Sequence, residues 1–292
     1  MAPRRAGRRR LPGLVTLTSD LGWAYAAQVK GALLRACPTV PLVDLTHELP
    51  RHRISEAAFV LRAMATSFPP GTVHVAVVDP GVGGQRAPIA IRCGDGSVLV
   101  GPDNGVLAPL ALALGRPEAY RLDPRRIEPR GRVGTTFDGR DLFAPAAARI
   151  ARGEPLAHLG TPASFQDRRL PVATRAPQSA AGEVVHVDHF GNLISNVPSR
   201  WIPSRARGLA VSVGGRRAIR VPWVRSYEAL GRGRLGTLGS SFGTAEVAVA
   251  EGSAADRLRT RTGTPVEFRW GRGGVAATET VNSASSLPRR RR

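Results

Sequence analysis

A chain of 292 residues has room for a sizeable core and, as a first expectation, two modest domains. No apolar run approaches the roughly 18 residues a membrane helix needs, and no signal-peptide apolar segment follows the basic start, so the chain reads as cytoplasmic. Its two cysteines, Cys37 and Cys93, stand in neither a CxxC spacing nor a metal-ligand set, which argues against a disulfide scaffold or a zinc module.

The net charge of +20 invites a nucleic-acid reading. Much of it sits at the ends, where Arg4, Arg5 and Arg8–Arg10 open the chain and Arg289–Arg292 close it. Both ends lack hydrophobic periodicity and are expected to be disordered basic arms, 1–10 and 276–292. Lys30 is the only lysine, so arginine replaces lysine throughout. That is a compositional bias and not a selected phosphate groove. No specific nucleic-acid partner is expected, only weak, salt-sensitive adhesion to polyanions.

From Leu14 the chain alternates β-branched runs with helical stretches. Leu14–Asp20 reads as a buried strand ending in a polar Asp, and Ala24–Ala36 as a helix stopped by Pro38. Val40–Thr46 is a second strand, Ile54–Ser67 a second helix and Thr72–Asp79 a third strand. Pro88–Val100 turns at Gly94-Asp95-Gly96 as a hairpin, and Leu142–Arg152 forms a later helix. Apolar strands separated by helices predict an α/β domain over 11–170 with a mostly parallel sheet. Such sheets bind ligands beyond the carboxyl ends of their strands, where Asp20, Asp44 and Asp79 fall. A stretch rich in Pro, Ala, Arg and Ser, 171–181, is expected as a linker. Short strands with glycine turns then predict a small antiparallel β-barrel domain over 182–275.

Several polar segments carry candidate chemistry. Asp20, at a strand end before Gly22, suits a carboxylate accepting from a ribose diol; a helix N-cap is the alternative. Asp79 and Arg86 bracket Pro80-Gly-Val-Gly-Gly84, a loop that lets backbone approach a ligand, and they form either a catalytic pair or a structural ion pair. Asp103 and Asn104 sit in a tight Gly101–Gly105 turn that turn chemistry alone also explains. Phe137, Asp138 and Asp141 precede a helix that either Asp would cap. Asp188, Phe190 and Asn192 crowd around Gly191, and Ser240 and Ser241 follow in another glycine-flanked turn. The six histidines form no metal spacing, and His47 and His52 are the best placed for a pocket rim.

In order, Thr16–Gly22, Val43–His47, Phe68–Gly83, Gly101–Gly105, Thr136–Pro145 and Asp188–Asn196 resemble the S-adenosylmethionine (SAM) hydrolases, also called SAM hydroxide adenosyltransferases, relatives of fluorinase and chlorinase. The resemblance spans about Leu14 to Trp270. It implies hydrolysis of SAM at the 5′ carbon to adenosine and methionine, with no metal and no dissociable cofactor. It also implies a homotrimer whose sites join the α/β domain of one subunit to the β domain of its neighbour.

Carried over by position, Asp20 holds the ribose hydroxyls and Phe137 lines the reacting end. Asp188 and Asn192 bind the methionine part of SAM, with Ser240 and Ser241 at the same end. Asp103, Asn104 and Phe190 are further candidates for substrate contact. Asp79 and Arg86 match two of the three groups that position and activate the attacking water. The family's third group is a His within Thr-Phe-His-Gly-Arg-Asp, and this sequence has Asp138 there. A sulfonium leaves without protonation, so alignment of the water and a proton acceptor suffice. Asp138 is therefore expected to substitute as an acceptor. The alternative is a SAM- or adenosine-binding protein with little turnover.

Overall fold

A computed structural model describes residues 13–128, 134–204, 206 and 208–271. The two arginine-rich arms, 1–10 and 276–292, lie outside the described residues. The chain divides into two compact units that meet in sequence between Arg169 and Leu170.

The first unit is built on a seven-stranded sheet. Its strands are β1 (Val15–Ser19), β2 (Leu42–Thr46), β3 (Val73–Val77), β4 (Pro88–Arg92), β5 (Val98–Pro102), β6 (Glu118–Leu122) and β7 (Gly160–Ala163), in the order β2-β1-β3-β5-β4-β6-β7. The pairs β1–β2, β1–β3 and β3–β5 are parallel. The remaining pairs are antiparallel, because the β4–β5 hairpin reverses the chain and β6 and β7 extend that edge. The sheet is thus mixed, with its parallel strands together on one side. That side carries the ends at which ligands bind in such folds.

Connecting helices are α1 (Gly22–Ala36), α2 (Ile54–Ala65), α3 (Ala108–Leu114), α4 (Pro124–Ile127) and α5 (Ala144–Ala151). Strand side chains alternate between faces. Val15 and Leu17 join Val75, Val77, Val29, Leu33 and the alanines of α5 in one core. Thr16 and Thr18 face the other way, and α2 lies against β1. Small residues on α5 let it approach the strands closely. The expected helix at Leu142 starts earlier, as a π-turn over Gly139–Phe143 that leads into α5. Such π-turns recur at functional sites.

The second unit is an antiparallel sheet. Its strands are β8 (Thr174–Ala176), β9 (Ser179–Val187), β10 (Leu193–Pro198), β11 (Ala210–Val213), β12 (Ile219–Arg220), β13 (Leu235–Gly239), β14 (Thr244–Val249) and β15 (Pro265–Arg269). They run in the order β12-β11-β15-β9-β10-β14-β13, with β8 on β9. Val184, Leu193, Val211, Val247, Phe268 and Trp201 fill its core. The stretch 171–181 contains β8 and the start of β9, which pair through Thr174–Ala181 and Ala176–Ser179. Among the described residues no helix is long and apolar enough to cross a membrane.

Candidate active site

The parallel strands of the first unit end around a cavity of about 240 Å³. Its wall is formed by Asp20, Leu21 and Tyr25 after β1, Val77 at the end of β3 with Asp79 and Val82 after it, and Thr136, Phe137, Asp138 and Gly139 before and within the π-turn; Arg51 and His52 complete it. Five residues singled out in the sequence, Asp20, His52, Asp79, Phe137 and Asp138, therefore share one wall.

Asp79 and Arg86 close the glycine loop on itself. Arg86 Nε donates to both Asp79 oxygens at 2.9 Å, and its Nη2 donates to Asp79 Oδ2 at short range. The same Nη2 donates to Asp138 Oδ2. Gly81 lies close under the folded-back side chain: a Cβ there would stand 3.2 Å from Arg86 Cγ. The guanidinium also lies over the buried Phe143 ring, 5.5 Å from its centroid. The Asp79 and Asp138 side chains are 5% and 3% exposed, so this is a nearly dry ion cluster. Burial pulls the Arg86 pKa down, but the hydrogen bonds and charges of Asp79 and Asp138 outweigh burial and leave it raised. Arg86 is thus a fixed cation that aims two carboxylates at one place, and a carboxylate so held can accept a proton or a water's hydrogen bond.

Asp20 does not cap α1; the N-cap residue is Leu21, and no side chain caps that end. Its Oδ2 accepts the His52 N–H at 2.9 Å. His52 adopts φ 64°, an uncommon left-handed conformation for a non-glycine residue, and this aims the amide at Asp20. Phe137 stands edge-to-face with Tyr25 at 5.7 Å and beneath the Arg140 guanidinium at 5.0 Å. Arg140 is in turn held by Asp141 through Nε at 2.6 Å and by Gln28 at 3.0 Å.

Asp103 and Asn104 are placed differently. Asp103 Oδ1 accepts the Gln166 N–H at 2.7 Å. Asn104 Nδ2 donates to the Val78 carbonyl at 2.8 Å, and its Oδ1 accepts from Val106 N–H at 3.1 Å. Neither belongs to the cavity wall; Asn104 instead braces the residue before Asp79. Asp44 lies within β2, and its carboxylate turns to Lys30 and His47.

The other candidates belong to the second unit. Asp188 Oδ1 accepts from the Phe190 and Asn192 N–H groups and Oδ2 from Asn192 Nδ2, all at 2.9 Å. This is a tight Asx turn. Asn192 is buried and also reaches the Tyr227 hydroxyl at 3.3 Å, while Phe190 is 73% exposed. Tyr227 donates to the buried Glu246, whose pKa is raised by burial first and by the Asp188 charge, against the lowering hydrogen bond from Tyr227. Ser240 Oγ meets Thr244 Oγ1 at 3.0 Å and accepts from Phe242 N–H at 3.2 Å; Ser241 is exposed on the same turn.

Sequence reasoning missed Tyr25, Arg51, Val82 and Thr136 in the cavity wall. Only Tyr25 left a signal, an aromatic residue one turn beyond Asp20. His52 is on the wall, whereas His47 lies buried against Ser19 at 2.8 Å.

Residues 15–160 match the profile of the SAM hydroxide adenosyltransferase N-terminal domain, and residues 182–267 that of its C-terminal domain. A protein of Salinispora tropica named (R)-S-adenosyl-L-methionine hydrolase is 40% identical over 253 residues, covering 84% of this chain and 93% of that protein. One of the same name from Thermus thermophilus is 38% identical, covering 87% and 98%. A crystal structure of an uncharacterised conserved protein from Thermotoga maritima superposes with a TM-score of 0.81 at 30% identity, over 88% of this chain and all of the other.

Proposed function

Since the chain belongs to the SAM hydroxide adenosyltransferase family, we propose that it hydrolyses S-adenosylmethionine, adding water or hydroxide at the 5′ carbon and releasing adenosine and methionine. The observation that carries this reading is the buried Asp79–Arg86–Asp138 cluster on the same cavity wall as Asp20.

The chemistry needs few parts. Asp20 accepts from the ribose hydroxyls and fixes the sugar, with Phe137 and Tyr25 against it. A water held by Asp79, with Asp138 as a second acceptor, attacks the 5′ carbon opposite the C–S bond. The C–O bond forms as the C–S bond breaks, the electron pair goes to sulfur, and methionine leaves neutral at that atom. The water's proton passes to Asp79. Arg86 keeps the carboxylates in place throughout. Alignment of this kind supplies up to roughly 7–11 kcal/mol in well-oriented reactions, and proton transfer about 10²–10⁴-fold more. Carboxylates beside the nucleophile repel a halide, so water and not chloride is the acceptor of the adenosyl group.

The methionine portion falls to Asp188, Asn192, Phe190, Ser240 and Ser241, contributed by a neighbouring subunit of a homotrimer; Asn104 supports the reacting loop through the Val78 carbonyl. SAM is the substrate and no dissociable cofactor takes part. The enzyme works in the cytoplasm.

The test is to incubate the purified protein with SAM, with and without chloride, and follow products by chromatography with mass detection. Adenosine and methionine at equal, halide-independent rates support the proposal. Tight binding of unchanged SAM overturns it in favour of a binding protein.

A further inference from the structure

Behind Asp20 lies a hydrogen-bonded chain that the proposed chemistry does not use. Ser19 Oγ meets His47 Nδ1 at 2.8 Å, His47 Nε2 meets Asp44 Oδ1 at 2.9 Å, and Lys30 Nζ donates to Asp44 Oδ2 at 2.9 Å. The chain ties the end of β1, the segment after β2 and α1 together. A hydroxyl, an imidazole and a carboxylate in series is the connectivity of an activated serine nucleophile. Burial rules that role out. Ser19 and His47 are each 2% exposed, and the cavity wall is made by Asp20 and Leu21, in front of Ser19.

Burial pushes the Asp44 carboxyl up, but Lys30 and His47 outweigh burial and hold it below the ordinary carboxylate value. An ionised carboxylate only accepts, so the imidazole carries a hydrogen on Nε2 and donates it to Asp44. Ser19 Oγ also accepts the Leu21 N–H at 3.4 Å. The next amide, Gly22 N–H, donates to the His47 carbonyl at 3.0 Å. Trp23 packs its ring edge-on against the imidazole, with centroids 5.0 Å apart. The three residues after Asp20 are therefore all anchored on Ser19 or His47.

We propose that Ser19 and His47 are positioning residues that set the Asp20 carboxylate for the ribose diol. This inference rests on the SAM-hydrolase reading of the cavity. Asp20 touches the sugar in both the ground and the transition state, so loosening it weakens binding and leaves the chemical step alone.

The experiment is a double-mutant cycle on the full chain. Ser19→Ala removes one small hydroxyl, and His47→Gln provides a second, independent disruption. Each is made in the wild-type and the Asp20→Ala backgrounds, and SAM affinity is read by calorimetry beside kcat and KM. In the wild-type background each variant raises Kd and KM about tenfold, the scale of one hydrogen bond to a charged group, with kcat within about twofold. In the Asp20→Ala background neither variant has a further effect. Equal weakening in both backgrounds, unchanged affinity, or a loss confined to kcat overturns the inference. Wild-type protein that neither binds nor cleaves SAM overturns the hydrolase reading itself; intact wild-type hydrolysis with affinity indifferent to Ser19→Ala overturns the positioning role alone.

Discussion

Asp79→Asn keeps the side chain's volume and exchanges one carboxylate oxygen for an amide nitrogen. In the native cluster Arg86 meets both Asp79 oxygens through Nε and one through Nη2, while Nη2 also reaches Asp138. The amide leaves a single acceptor and turns an NH2 toward the guanidinium. Removing one partner of a buried ion pair costs roughly 3–5 kcal/mol when the other charge is stranded. Here Asp138 still holds Arg86, so about 2 kcal/mol of stability is expected to go, the scale of one charged hydrogen bond. The larger effect is on rate. With the Asp79 carboxylate no longer there to take the water's proton, kcat falls about 10²–10⁴-fold. SAM affinity stays within roughly threefold, because the ribose and methionine contacts are untouched. Stopped-time product analysis gives kcat, calorimetry gives Kd, and urea unfolding gives the stability. Retained kcat refutes the role of Asp79 as proton acceptor, and lost SAM binding at full stability shows that it holds substrate instead.

Other outcomes follow from the same structure. His74 is buried against Thr16 at 2.7 Å, and burial pushes its pKa down to about 4, against a smaller raising effect of Asp95. The unfolded chain binds this proton near pH 6.5, so the stability His74 allows is complete above that pH and lost as pH falls toward 4. From about pH 7 to about pH 5 the loss is about 2 kcal/mol, and a His74→Gln variant should lack this component in urea unfolding. Gly191 has φ 78°, and a Cβ there would stand 2.2 Å from Ser253 Oγ. Gly191→Ala should cost about 1–3 kcal/mol in the same assay and weaken SAM binding by opening the Asp188 turn. Cys93 is buried and its thiol is pushed up to about 12, first by burial and then by the Asp95 charge. It should resist alkylation in native protein at neutral pH and react after denaturation; rapid native labelling would contradict its packing.

The strands were the most legible part, because β-branched runs bounded by Gly, Pro and Asp carry their own punctuation. Asp20 and Asp79 were readable for the same reason, each ending an apolar strand. Asp138 was readable only against the family pattern, since nothing local distinguishes it from a helix cap. The antiparallel strands β6 and β7 were not legible: Glu118–Leu122 and Gly160–Ala163 are short and half polar, and pairing of β6 with β4 and of β7 with β6 makes them strands. Pro171–Ala181 looks like a linker by composition, yet β8 and β9 pair there because β9 already belongs to the sheet through β10 and β15. Asp103 and Asn104 show the reverse limit. Their turn was plain in the sequence, but whether its polar tips face a ligand or the backbone of Val78 and Gln166 depends on loops far away in the chain. The pairing of Ser19 with His47 was equally hidden, because the two lie 28 residues apart and meet only when β1 and β2 align.

The most direct measurement is to run the reaction with SAM in heavy-oxygen water and analyse the adenosine by mass spectrometry. The account predicts adenosine carrying the heavy oxygen at its 5′ hydroxyl, in equal amount to methionine and with chloride without effect on rate. SAM recovered intact, or a 5′-halogenated nucleoside in place of labelled adenosine, would contradict it.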